Sequence, residues 1–262
     1  MTASEEMRVP FHVSKVGLVR TAVIFGAVAG LEALCRLGVI NRVTMIPPSE
    51  MVVALWQILD TGRFNQDIAF TAYNLFGAFL LAIVTGFLFG GALHGLPRLR
   101  RVVEPLLAAY YAVPTFVFYP LLIVVFGVGR SSLIVIGAMF GVVAMIVNTL
   151  LGLDHVPPVI AKTASIWKLG ALRTLFLVRL PAATPYFVTG VKLAVAYSVI
   201  GVVAGEFILA TQGIGKRIAF AYDNFDNRTM YALMLLLLIA VMIVNNGLSA
   251  WEKRLHHRFG QR

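Results

Sequence analysis

Long uncharged runs, separated by short polar, basic or proline-containing connections, set the pattern of this chain. Residues 68–93, 105–129, 131–153 and 229–251 contain no Asp, Glu, Lys or Arg and are each at least 23 residues long. A helix needs about 20 apolar residues to cross the hydrocarbon core of a bilayer. Two further runs, 21–39 and 181–209, are apolar but carry Glu32 with Arg36, and Lys192 with Glu206. The pattern predicts six membrane-spanning helices. Glu32 and Arg36 stand four apart with the acid first, the favourable order for a pair on one helix face, so they are expected to neutralise each other near one end of the first span. Lys192 and Glu206 are 14 apart, which returns them to within roughly 40° of one face but separates them by about 21 Å along the axis. They are too distant to pair directly. Two placements fit them: a face turned toward protein or water, or snorkelling to the two interfaces.

The connections carry their own signals. Pro47-Pro48-Ser49 precedes a stretch, 50–59, whose apolar positions recur at helical spacing beside polar ones, predicting a short interfacial helix. The third span contains Pro105, Pro114 and Pro120, so it is expected to be kinked, with a broken or re-entrant course as the alternative. Residues 154–180 interleave Lys162, Lys168, Arg173 and Arg179 with Ile160, Ile166, Trp167, Leu169, Leu172, Leu175 and Phe176, as in an amphipathic segment outside the bilayer core. Pairs of glycines four apart at Gly26/Gly30, Gly86/Gly90, Gly137/Gly141 and Gly201/Gly205 are small enough to let a second backbone come close.

Composition agrees with the pattern. Of 262 residues 59% are hydrophobic and 13% charged, where soluble domains carry about 25% charge; the mean hydropathy is +0.86. A water-soluble enzyme is excluded. The net charge of +10 lies in the connections, not in one patch, so it gives no reason to expect nucleic acid. It does orient the chain. With both termini in the cytoplasm, 14 of the Lys and Arg residues lie on the cytoplasmic side and six (Arg42, Arg63, Arg130, Lys216, Arg217, Arg228) outside. The expected organisation is a single all-α transmembrane domain, 1–262, with a cytoplasmic segment at 1–20, a cytoplasmic loop at 154–180 and a basic tail at 251–262. A single cysteine, Cys35, leaves no disulfide within the chain.

No acid pair, nucleophile with base, or metal-spaced cluster stands out, so neither an enzyme nor a bound metal or cofactor is expected. His256-His257 lies in the basic tail, and His94 and His155 fall at the same predicted ends of their spans. Gly213-Ile214-Gly215-Lys216 lacks the first glycine and the final Ser or Thr of a phosphate loop. It is expected to be a glycine turn leading into an outer helix at 218–222. The polar groups available to a translocation pathway are Tyr110, Tyr111, Tyr119, Asn148, Lys192, Ser198 and Glu206. The tyrosines also suit the aromatic belts of the bilayer interfaces.

The segment 159–181, ending in Leu180-Pro181 and followed by Ala182-Ala183-Thr184-Pro185, resembles the membrane subunits of binding-protein-dependent ABC importers, nearest the nitrate, sulfonate and taurine-type branch. Pro48-Ser49, Phe126-Gly127-Val128-Gly129, Glu206-Phe207 and Gly213-Ile214-Gly215 are similar to further landmarks of that family, and the resemblance extends over residues 46–252. It implies a type I ABC importer permease-like fold at the bacterial cytoplasmic membrane. Two copies would form a homodimer in membrane lipid, with two cytoplasmic ATPase subunits below and an extracytoplasmic solute-binding protein above. The loop would hold the coupling helix, with Lys162, Thr163, Ala164, Lys168, Gly170 and Arg173 as ATPase contacts. Here it departs from the family pattern: Lys162-Thr163-Ala164 stands where Glu-Ala-Ala is usual, and Lys168 where glycine is usual, with Gly170 a shifted equivalent. The implied function is ATP-driven import of a small polar solute, with nitrate, sulfonates, taurine, bicarbonate and vitamin precursors as the substrate classes. The competing reading is a stand-alone ion-coupled secondary transporter using Lys192 or Glu206. The inverted repeats expected of that class are not visible between the two halves.

Overall fold

The computed structural model describes residues 15–157, 159, 166–167 and 170–259. Helix α1 (Lys15–Arg36) leads through an irregular loop to α2 (Pro48–Thr61), where proline supplies the first helical residue and Gly62, at φ +62°, closes the helix. Helix α3 (Asn65–Gly95) follows, then α4 (Pro97–Tyr110), a 3-10 turn (Thr115–Phe118) and α5 (Tyr119–Phe126). A glycine hairpin opens α6 (Arg130–Asp154). Beyond the connecting segment, a helical turn (Ala171–Thr174) and a π-helical turn (Leu175–Arg179) run into α7 (Leu180–Leu209). Helix α8 (Ile214–Asp223) and the long α9 (Asn227–Phe259) complete the chain.

Five of these helices are long and apolar enough to cross a membrane: α1, α3, α6, α7 with its lead-in, and α9. The sixth expected span is present only as a bent pair, α4 with residues 115–126, turned by 100°. This is sharper than a kink and follows from the prolines. Pro114 pushes Val113 out of the helical region, and Pro120, which lacks an N–H, suits the first turn of a new helix better than the interior of an old one.

Helix α6 is the axis of the bundle. In its most hydrophobic 18-residue stretch 61% of residues are buried inside the chain, against 6% for α1. Small residues bring α3 and α7 onto it. A Cβ on Gly86 would stand 2.6 Å from Met145 Cβ, and one on Gly90 2.6 Å from Thr149 Cβ. On the other side a Cβ on Gly141 would meet the Ala194 carbonyl at 2.6 Å, and one on Gly201 the Gly137 Cα at 2.8 Å. Backbones this close forfeit side-chain bulk and gain dispersion contact along their length. Three of the four glycine pairs are therefore interhelical contacts, while Gly26 and Gly30 on α1 face nothing within 4 Å.

A second layer forms where α2, α8 and α9 meet the start of α3 around Phe64, Ile214, Ile218 and Leu233. Helix α1 joins it at one end only. Glu32 pairs with Arg36 at 2.6 Å, as the spacing predicts, and accepts hydrogen bonds from the Ser49 amide (3.0 Å) and hydroxyl (2.7 Å) at the start of α2.

Candidate functional site

Among the described residues, two polar clusters lie at opposite ends of the α3, α6 and α7 core. The first sits where α3, α7 and α8 meet. Helix α8 begins with three amides, of Gly213, Ile214 and Gly215, that have no carbonyl partner within the helix. Each is satisfied by a side chain from α3 or α7: Gly213 N–H donates to Asp67 Oδ1 (3.0 Å), Ile214 N–H to Thr71 Oγ1 (2.8 Å) and Gly215 N–H to Glu206 Oε2 (3.2 Å). The Thr71 hydroxyl in turn donates to Glu206 Oε2 (2.7 Å), and Asn74 Nδ2 to Glu206 Oε1 (3.2 Å). Arg217 completes the cluster through Asp67 Oδ2 (2.8 Å).

Glu206 is wholly inaccessible, a position a carboxylate tolerates only with several donors and the positive end of a helix upon it. The glycines are required for this closeness. A Cβ on Gly213, whose φ is +112°, would lie 2.5 Å from the Glu206 carboxyl carbon, and one on Gly215 2.5 Å from the Val203 carbonyl. The expected glycine turn into a helix is thus present, with α8 starting four residues earlier than expected, at Ile214. Sequence reading singled out Glu206 but missed Asp67, Thr71 and Asn74. Their i, i+4, i+7 spacing on one helix face was the available signal.

The second cluster lies at the opposite end, where Asp154 closes α6. Arg100 on α4 approaches it with both terminal nitrogens, Nη1 to Oδ1 at 3.0 Å and Nη2 to Oδ2 at 2.8 Å, and His94 Nδ1 lies 3.1 Å from Oδ1. His155 turns away and stacks on Tyr186 at 5.0 Å. Sequence reading missed this cluster, because Arg100 and Asp154 fall in different connections.

The candidate pathway residues are dispersed. Tyr110 and Tyr111 sit together at the bend after α4; the Tyr110 hydroxyl donates to the Met139 carbonyl (3.0 Å), and the Tyr111 ring stands 5.5 Å from that of Tyr197. Tyr119 is buried beside Leu122, Leu133 and Ile136. Asn148 and Ser198 are buried on α6 and α7: Asn148 donates to the Ala144 carbonyl (2.8 Å), and the Ser198 hydroxyl has no hydrogen-bond partner among the described residues. Lys192 reaches Glu252 of α9 at 3.3 Å, and Glu206 belongs to the first cluster.

Among the loop residues, Gly170 is exposed, with nothing among the described residues within 4 Å of its missing Cβ, and Arg173 is exposed. Ile166 and Trp167 are 78% and 77% exposed. Lys162, Thr163, Ala164 and Lys168 lie outside the described residues.

The family profile described as "Binding-protein-dependent transport system inner membrane component" matches residues 78–261. The taurine transport system permease protein TauC of Escherichia coli (strain K12) is 28% identical over 231 residues, 85% of this chain and 82% of that protein. The riboflavin transport system permease protein RibX of Chloroflexus aurantiacus is 30% identical over 201 residues, 76% of this chain and 75% of its own. The nitrate import permease protein NrtB of Synechococcus elongatus is 28% identical, covering 68% of this chain and 64% of its own. Among solved structures, a chain of the MetNI methionine ABC transporter in an inward facing conformation superposes with a TM-score of 0.65 at 17% identity, over 72% of this chain and 94% of that one. At that identity the likeness is one of fold.

Proposed function

The chain belongs to the family of binding-protein-dependent transport system inner membrane components, the permeases of ABC importers and not enzymes, and from this premise we propose that it imports a small polar or anionic solute. Taurine and nitrate, which the names of two relatives specify, represent the substrate class best. Two copies enclose the pathway in the cytoplasmic membrane with both termini inside. Two ATPase chains bind below, and a solute-binding protein docks above.

The observation that carries this reading is the segment between α6 and α7. In it Ile166 and Trp167 are largely exposed, and so are Gly170 and Arg173, at the end of the bundle where the sequence places the basic residues. Large apolar side chains on a basic segment beyond the bilayer core suit a protein groove, and tryptophan is enriched among the anchors of such contacts. Closure of an ATPase pair on ATP would move this segment, and with it α6 and α7, which it joins directly. Lys162, Thr163, Ala164 and Lys168 belong to the same contact.

The test is Gly170→Asp, which places a carboxylate in the contact where the chain has none. Uptake of labelled taurine and of nitrate by cells carrying this variant should vanish while the protein still inserts in the membrane. In the parent, uptake should survive an uncoupler as long as ATP is maintained. Normal uptake by Gly170→Asp, or collapse with the uncoupler at constant ATP, would overturn the reading, the second outcome in favour of an ion-coupled transporter.

A further inference from the structure

Helix α4 is held unlike its neighbours. It has no buried residue, and among the described residues its Val103 and Leu107 are partly buried against Leu93, Ile146 and Leu150. A cleft of about 280 Å3 opens between it and α6, lined by Leu107, Ala108, Val147 and Leu150, with Arg100 at one end and Tyr111 at the other. Among the described residues, the polar contacts that α4 makes with other helices lie at its ends. At the first turn Arg100 forks onto both oxygens of Asp154, at 3.0 and 2.8 Å. At the last, Tyr110 donates to the Met139 carbonyl and Tyr111 meets Tyr197, immediately before the chain turns by 100°.

Asp154 is also the last residue of α6, the root of the segment that projects toward the ATPase in the transport reading on which this inference rests. Arg100 and Asp154 are 54 residues apart, so their bond joins two helices that the chain connects only through α5 and the hairpin. A two-pronged guanidinium–carboxylate contact resists both sliding and twisting.

We propose that the Arg100–Asp154 fork is a coupling latch: it makes α4 follow the root of the loop, and α4, pivoting over its cleft, swings the bend that carries Tyr110 and Tyr111. Both latch residues act through α4 and are positioning residues, not solute contacts. His94 supports Asp154 from α3. Without the carboxylate, Arg100 keeps among the described residues only Glu104 at 3.4 Å, a partner on its own helix that tethers α4 to nothing else.

Two measurements test this. Hydrogen exchange on the full chain in detergent needs no partner. In Asp154→Asn the amides of residues 100–110 should exchange about tenfold faster, the loss expected for one charge-assisted contact, while those of α3 and α6 stay at parent rates. Parent-like exchange in α4 would overturn the latch whatever the ATPase result. The second uses the complex purified with its ATPase, with Cys35→Ser and a reporter thiol at the exposed bend, Val113→Cys. ATP with vanadate should change the labelling rate by a charged thiol reagent about tenfold in this background, a shift the size of one such contact. With Asp154→Asn added, ATP is still hydrolysed but the change is lost, and exchanging both charges, Arg100→Asp with Asp154→Arg, restores it. An undiminished nucleotide response in Asp154→Asn, or no rescue by the exchange, would refute the proposal.

Discussion

Glu206 shows how a charge comes to rest inside an apolar bundle. Its carboxylate takes hydrogen bonds from Thr71, Asn74 and the Gly215 amide, so Glu206→Ala leaves three buried donors unmatched at about 1–3 kcal/mol each. Glu206→Gln preserves the shape and one acceptor and should cost less. Gly213→Ala adds a methyl group where the carboxyl carbon lies 2.5 Å away, at a φ of +112°; overpacking of this kind costs about 1–3 kcal/mol before backbone strain is added. Thermal unfolding in detergent should rank the melting temperatures parent, Glu206→Gln, then Glu206→Ala, with Gly213→Ala also below the parent. Equal stability of Glu206→Ala and parent would contradict the clasp. From the sequence, the cost of a lone charge in a span marked Glu206, and the pattern failure of Gly213-Ile214-Gly215-Lys216 marked it as a turn. That the two are one structure was not legible, because Asp67, Thr71 and Asn74 come from a helix more than 130 residues earlier and look like ordinary polar residues at the start of a span. The same holds for Lys192, whose partner Glu252 lies 60 residues on.

At the level of elements, hydropathy located every long helix, because each is long enough for composition alone to identify it. Charge-free length says little about direction, however. The third span reads as one run of 25 residues and folds as two pieces bent by 100°, since hydropathy averages over the prolines that decide its course. Glycine spacing was more informative than it is in isolation: three pairs mark the contacts of α6 with α3 and α7, and the fourth, on α1, is open. This difference is measurable. Gly141→Ala, with its new methyl 2.6 Å from the Ala194 carbonyl, should lower stability by about 1–3 kcal/mol. Gly30→Ala meets nothing within 4 Å and should leave the single chain as stable or up to about 1 kcal/mol more stable through helix propensity. Unfolding of the two variants in detergent compares them directly, and an equal loss in both would contradict the packing described.

On the scale of the whole molecule, the structure has a firm centre and a bare periphery. Helices α3, α6 and α7 are locked by close backbones, while α1, α4 and α9 expose long apolar faces such as Phe25, Leu106 and Ile243. The polar clusters sit at the two ends of this centre, the Glu206 clasp holding α8 and the Asp154 fork holding α4. The central claim, that the 155–179 segment is where an ATPase docks, is tested most directly by purifying the tagged full chain from its native host in mild detergent and identifying the proteins that accompany it. A stoichiometric P-loop ATPase should co-purify and hydrolyse ATP, and Gly170→Asp should release it. A chain that stays partner-free under conditions preserving a control transporter complex, or an ATPase retained by Gly170→Asp and by Trp167→Ala alike, would contradict the account.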